Sequence, residues 1–309
     1  KNRRILLIDR DTKNSNDRTW CFWEGGEGEW DAIISKKWDH CAFKSEWFSD
    51  SFKLDPFSYK MIRGLDFYQF VFKELDLHHN ITFINEEVVG IKDNGNFVEV
   101  KTSNNTYRGD KAFNSIFNPE GLNNQSKYPV LQQHFIGWFV QTDKAVFNVD
   151  EATFMDFTLT QKGNTRFMYV LPTVDNTALV EYTLFSQQLL PKAEYESEIK
   201  QYLANLGVDN YKILETEKGS IPMSSYDFTT KNSINLLHIG TAGGWTKAST
   251  GFTFSKINKM TKKLVKTIKN QPDFTKNESK TRFWYYDLLL LDVLYKHNGY
   301  GAKIFATLF

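Results

Sequence analysis

Cysteine is scarce in this chain. Cys21 and Cys41 are the only two in 309 residues, too few for a disulfide framework and without the neighbouring ligands of a metal site. The six histidines are scattered, which also points away from a metal. Neither sign of charge dominates, with 38 basic against 37 acidic residues, so the electrostatic footprint of a nucleic-acid binder is missing. The densest basic cluster, Lys259 to Lys269, has the spacing of a solvated helix face. No apolar run reaches the ~18 residues of a membrane-spanning helix. What the chain has in excess is aromatic surface: 26 Phe, 14 Tyr and 8 Trp make up 16% of it. Such surface builds a large core or lines a cavity for a large apolar ligand, and composition alone leaves both open.

The stretch from Ile239 to Phe254 organises the rest. It follows a short apolar run and leads into a helical pattern, so it reads as strand, glycine-rich turn and helix start. Gly240, Gly243, Gly244 and Gly251 allow close approach of a ligand to the backbone, and Thr241, Thr246, Ser249 and Thr250 bring hydroxyls toward the first helical N–H groups. Phosphate sites are built this way, and so are ordinary capped turns. At the other end, Ile5-Leu6-Leu7-Ile8-Asp9 is a buried-strand pattern closed by an acid, as in the second strand of a dinucleotide-binding unit. A Gly-x-Gly-x-x-Gly turn should precede it by about 20 residues. The expectation is therefore a chain that lacks the first strand and its phosphate turn, and that is incomplete after Phe309 as well.

Between these ends the pattern changes several times. Asn16 to Glu24 is aromatic and charged without a period and reads as a lining, not a scaffold. Phe67, Phe70, Val71 and Leu75 mark a helix, with Arg63 before it able to meet an anion or a surface carboxylate. Strand-like runs at Ile81 to Ile84, Glu87 to Ile91, Phe97 to Thr102 and Lys111 to Phe117 include a hairpin turned at Asp93-Asn94-Gly95-Asn96. Four more runs, Val130 to Val140, Ala152 to Leu159, Arg166 to Leu171 and Thr177 to Phe185, have the short polar connections of an antiparallel sheet. A helix from Pro191 to Gly207 follows, then Glu215 to Met223 with a turn, the glycine-rich stretch, a helix after Phe254, a polar break at Asn270 to Lys280 and a last helix around Asp287 to Leu294. The expected division is 1–129 and 215–270 for the two parts of a nucleotide-binding domain, 130–214 for an inserted substrate sheet, and 271–309 for an incomplete helical segment.

Several segments together carry a resemblance. They are Asn16-Asp17-Arg18-Thr19-Trp20-Cys21-Phe22-Trp23, Tyr59 to Gly64, Leu131 to Trp138, Phe154-Met155-Asp156-Phe157, Phe167 to Pro172, Leu179-Val180-Glu181-Tyr182-Thr183, Ile221-Pro222-Met223 and Gly243 to Thr253. In this order, across nearly the whole chain, they resemble the lycopene β-cyclases, flavoproteins of carotenoid biosynthesis, particularly the bacterial type. The resemblance implies an α/β fold: a glutathione-reductase-type FAD-binding fold, truncated at both ends, with an inserted antiparallel-sheet substrate domain. It implies an isomerase that closes the ψ ends of lycopene into β-ionone rings, giving γ-carotene or β-carotene, without net redox change but with FAD in its reduced form and NAD(P)H as reductant. The ribose acid would be Asp9, and flavin contacts would fall at Gly240, Thr241, Ala242, Gly243, Gly244, Ser249, Thr250 and Gly251.

Cyclisation needs an acid for the terminal alkene, a surface that tolerates a carbocation and a base for the ring proton. In Thr177 to Phe185 the alternation puts Glu181 on one face with Leu179, Thr183 and Phe185. Burial there would keep its carboxyl protonated, and the family's acid-base glutamate matches this position; a half-exposed sheet would leave it solvated. Asp156 is a second candidate acid, to orient Glu181 or to bind Arg166, or else an ordinary ion-pair member. Trp20, Phe22, Trp23 and Trp138 are candidate tunnel residues, each also readable as core, and His134 is a proton shuttle or a satisfied core histidine. A flavin-dependent monooxygenase or polyprenyl reductase on the same fold is the alternative function. Because lycopene resides in lipid, the expected location is cytoplasmic, peripheral on the inner face of the cell membrane.

Overall fold

The computed structural model describes residues 3–269, 273–276 and 281–309. Most of the polar break read at Asn270 to Lys280, and the division at 270, lie outside them. Two short parallel pairs form the part expected to bind a nucleotide. Ile5–Asp9 pairs with Ile81–Asn85, placing Asp9 opposite Asn85, and Ala112–Asn114 pairs with Leu236–His238. The second pair joins segments about 120 residues apart, so the chain leaves this region and returns to it. The Asp93 turn connects Val88–Asp93 to Val98–Thr102 as expected, with Gly95 at φ 86°.

The largest sheet has seven strands. In spatial order its strands are Tyr211–Met223, Leu131–Thr142, Thr177–Ser186, Thr165–Val174, Glu151–Asp156, His40–Lys44 and Ser49–Lys53. All neighbours are antiparallel except Glu151–Asp156 against His40–Lys44. The sheet thus recruits two strands from before residue 129, and its edge strand runs through the expected division at 214. Asn16 to Glu24, read as a lining, contains a true strand. Thr19–Gly25 pairs with Phe57–Arg63, which also pairs with Lys36–Trp38.

Alternation along the sheet decides what each face does. On one face Ile136, Trp138, Val140, Val180, Tyr182 and Leu184 pack against Tyr195, Ile199 and Leu203 of the helix Lys192–Asn205. On the other, Phe139, Leu171 and Leu179 meet Trp38, Tyr59 and Met61 of the three-stranded sheet, while Phe167 and Phe185 meet Leu291, Leu294, Ala302 and Phe305. Those last residues belong to the helices Arg282–Lys296 and Gly301–Leu308. The final helix was not expected, because its eight residues are too few for a clear period.

Candidate active site

The face of the large sheet that meets the three-stranded sheet carries a row of four residues on neighbouring strands. Gly137 stands opposite Glu217 on one side and Glu181 on the other, and Glu181 stands opposite Tyr169. Gly137 has no side chain to separate the two acids. A Cβ there would lie 3.3 Å from the Glu181 Cβ, 3.4 Å from its Cγ and 2.9 Å from Leu179 Cδ1, so the stem of Glu181 occupies the space that any larger residue would take. Across the gap the three-stranded sheet presents Thr19, Cys21 and Tyr59. Thr19 Oγ1 donates to Glu217 Oε2 at 2.8 Å, Thr183 Oγ1 donates to Glu181 Oε1 at 2.6 Å, and the hydroxyls of Tyr59 and Tyr169 bond to each other at 2.6 Å. Aromatic walls complete the chamber: the Trp23 ring lies 4.4 Å from that of Tyr59, and Phe154 stacks on Phe252 at 6.1 Å.

The chamber favours neutral groups. Glu181 is 6% exposed, and burial, reinforced by the neighbouring Glu217, pushes its carboxyl up to about 8. Burial likewise pushes the Cys21 thiol up to about 12 and holds both tyrosine hydroxyls well above their usual range. Glu217 sits on the edge strand and is half-buried. Burial raises its carboxyl too, while the Thr19 hydroxyl and the Arg63 guanidinium pull it back toward ionisation. Arg63 is not left to solvent: it pairs with Glu215 and lies 3.9 Å over the Phe139 ring.

The glycine-rich stretch lies next to this chamber. Gly240–Gly243 forms one tight turn, and the following helix, Phe254–Thr267, has no side-chain cap on its first N–H groups. Gly251, at φ 72°, is pressed so closely on Gln133 that a Cβ would fall 2.0 Å from Gln133 Oε1. Among the described residues that oxygen is buried without a partner, as is His238 Nδ1. His238 and Ala242 line a cleft of about 560 Å³ with Val88, Asn114 and Asn118. Asp9 ends the strand Ile5–Asp9, its carboxylate accepting from Asp11 N at 2.9 Å and pairing with Lys13 at 3.1 Å. Orphaned polar atoms, an uncapped helix start, a cleft that begins at His238 and Ala242 and a strand that ends in an acid fit a dinucleotide cofactor. Phe252, directly after Gly251, then joins this region to Glu181 through Tyr59, 6.4 Å away ring to ring.

Some expected site residues come together here and others do not. Glu181 and Trp23 share the chamber. Trp23 and Phe22 also border a cleft of about 310 Å³ beside the helix Phe254–Thr267. Trp20 points elsewhere, packing on Phe67 at 4.8 Å and Tyr68 at 5.8 Å. Trp138, 2% exposed, belongs to the core under the helix Lys192–Asn205, because it is one residue out of phase with Gly137. Asp156 neither orients Glu181 nor binds Arg166: it accepts from Tyr202 of that same helix at 2.9 Å and from Thr158 at 2.6 Å, while Arg166 bonds to Asn164 and Tyr182. His134 is a satisfied core histidine, bonded to Ser186 and Tyr195 at 2.7 and 2.6 Å. Within the glycine-rich stretch, Thr241 bonds to Thr246 at 3.0 Å. Ser249 donates to Asp287 at 2.7 Å instead of facing the helix start, and Thr250 N bonds to Lys247 O at 3.3 Å.

Sequence reasoning missed Glu217, Gly137, Thr19, Cys21, Tyr59 and Tyr169 as site residues. Thr19 was within reach of it: Asn16 Oδ1 accepts from Leu65 N at 3.0 Å and Asp17 Oδ1 from Tyr68 at 2.7 Å, so the polar start of that motif anchors the next helix and aims Thr19 at the acids. Among the described residues there is no group of metal-ligating side chains and no helix long and apolar enough to cross a membrane.

Parallel strand pairs carrying a dinucleotide-type cleft, together with a large antiparallel-dominated sheet that holds a buried acid against a three-stranded sheet, define an α/β protein of the FAD-binding type. Solved structures share this fold. A geranylgeranyl bacteriochlorophyll reductase-like protein from Thermoplasma acidophilum superposes with a TM-score of 0.60 at 10% identity, over 98% of this chain and 81% of that one. A p-nitrophenol 4-monooxygenase from Pseudomonas putida gives 0.55 at 9% identity, over 98% and 90%, and the halogenase PltM, solved with phloroglucinol and FAD, gives 0.53 at 11%, over 89% and 60%. At such identities the likeness concerns the fold alone. No curated protein matches the sequence. The model of the lycopene cyclase protein family matches residues 1–307, and the chain belongs to that family.

Proposed function

We propose that the chain is a lycopene β-cyclase that acts with reduced FAD, NAD(P)H being the reductant. One observation carries this reading: Glu181 is a buried carboxyl held protonated inside an aromatic chamber that admits few charges. Glu181 donates its proton to the terminal alkene of a ψ end group. The tertiary cation so formed is attacked by the next double bond along the polyene, which closes the six-membered ring and moves the positive charge to a ring carbon. Glu181, now a carboxylate, removes the adjacent ring proton and is restored. Atoms and electrons balance without an oxidant, and the product is an isomer of the substrate. The faces of Trp23, Tyr59, Tyr169 and Phe252 each stabilise the cation by about 0.5 to 2 kcal/mol. The glycine-rich stretch and the His238 cleft would hold FAD, which in its reduced form would supply an electron-rich surface for the same purpose.

The end group would reach Glu181 past Trp23, which borders both the chamber and the outer cleft. The substrate would be drawn from lipid by peripheral attachment to the inner face of the cell membrane, where the helix Arg282–Lys296 offers exposed Phe283, Tyr286 and Leu289. Flotation with anionic-lipid vesicles tests the attachment: the protein should rise with them and fail to when these three residues are replaced by serine, and a wild-type protein left entirely in solution would refute it. Incubation with lycopene, FAD and NADPH tests the reaction. A product of unchanged mass supports the cyclase, whereas added oxygen or hydrogen would identify a flavin-dependent monooxygenase or reductase.

A further inference from the structure

The second carboxyl of the site lies outside the mechanism just described, and its placement is specific. Glu217 and Glu181 are on different strands, separated by the one strand between them, and the residue between them is glycine. Each acid has its own hydroxyl donor, Thr19 for Glu217 and Thr183 for Glu181. Their surroundings are unequal. Glu181 is buried, with Cys21, Tyr59 and Tyr169 as its neutral neighbours. Glu217 is half-buried on the edge strand and faces Thr19, with Arg63, Glu215 and Asp17 as the charged groups around it. Two like charges that face each other across one glycine in a buried chamber do not both ionise easily, and the proton goes to the member that water and cations serve least.

We propose that Glu217 is a positioning residue: as the ionised member of the pair, it keeps the proton on Glu181 between turnovers, the two carboxyls holding one proton across Gly137. This rests on the reading of Glu181 as the acid of cyclisation and assigns a task to a residue beside it. The proton lent to the alkene and the proton recovered from the ring are both exchanged at Glu181. Glu217 gains and loses none, and its charge makes the protonated Glu181 the resting form. The direction of the Glu181 shift agrees, since Glu217 follows burial among its causes. Removal of that charge lets Glu181 ionise at lower pH.

The test is an infrared titration of the intact protein, following the carbonyl stretch of protonated carboxyls. The band lost in Glu181→Gln belongs to Glu181. In Glu217→Gln its midpoint should fall by on the order of one pH unit, and in Glu217→Asp, which keeps the charge, it should stay near the wild-type value. If Glu217→Gln does not fold, Thr19→Val serves: loss of the hydroxyl that favours ionised Glu217 should move the midpoint in the same direction by less. With lycopene and reduced flavin, the alkaline limb of kcat against pH should move with the band. An unmoved midpoint in the folded Glu217→Gln protein, or in Thr19→Val where that variant replaces it, overturns the inference. If the wild-type protein leaves lycopene unchanged while the midpoint still shifts, the cyclase reading fails and the carboxyl pair stands.

Discussion

Replacement of Glu181 by glutamine should change how stability depends on pH, with no substrate or cofactor needed to see it. The Glu181 carboxyl is pushed from an ordinary 4.5 to about 8 by burial and by Glu217. Between those values the folded chain keeps a proton that the unfolded chain releases, so native stability is lost as pH rises. The slope is about 1.4 kcal/mol per pH unit. From about pH 5 to about pH 7 the loss amounts to roughly 2 to 3 kcal/mol, a large part of a typical net stability of about 5 to 15 kcal/mol. Glutamine has the same shape and no proton to lose. Urea unfolding of both proteins across this range, compared as the difference between them, isolates the one group from all others that titrate. The wild type should weaken relative to Glu181→Gln as pH rises. A difference that stays flat would show that Glu181 is ionised in the native chain, and the acid role would go with it.

Three other outcomes follow from the same geometry. Burial lowers the His134 ring to about 4, so the unfolded chain takes up a proton between about pH 6.5 and 4 that the native chain refuses; wild-type stability should fall on acidification there by about 1.4 kcal/mol per unit, and His134→Gln should flatten that limb in the same unfolding series. Trp138→Ala should cost about 3 to 5 kcal/mol of stability, whereas Trp23→Leu should leave the unfolding midpoint nearly unchanged and raise KM for lycopene; the reverse pattern would return Trp138 to the substrate path. Gly244→Ala places a Cβ 2.9 Å from Phe228 Cδ2 at φ 71°, and should cost roughly 1 to 3 kcal/mol and reduce the flavin retained through gel filtration.

The parts of this fold written in local pattern were legible. Alternation in Thr177 to Phe185 put Glu181, Leu179 and Thr183 on one face, and the structure keeps them there. The Asp93 hairpin and the helices after Pro191 and after Phe254 were equally plain, because turn residues and 3.6-residue spacing need no knowledge of distant chain. Long-range pairing was hidden. Nothing local says that His40–Lys44 pairs with Glu151–Asp156, far along the chain, and Trp138 reads as a tunnel residue until register shows that Gly137, not its neighbour, faces the acids. Glu217 was the hardest to see. In Glu215-Thr216-Glu217-Lys218 it looks like one charge among several on a solvated strand, and only Thr19, 198 residues away, marks it as part of the site.

The central claim is that Glu181 lends and recovers the proton of ring closure. Its most direct measurement is the rate of lycopene conversion by Glu181→Gln against wild type, in folded proteins carrying equal amounts of reduced FAD, with product mass recorded. The expected result is loss of at least about 100-fold in kcat, with a wild-type product isomeric with lycopene. Conversion by the glutamine variant at the wild-type rate would contradict the account.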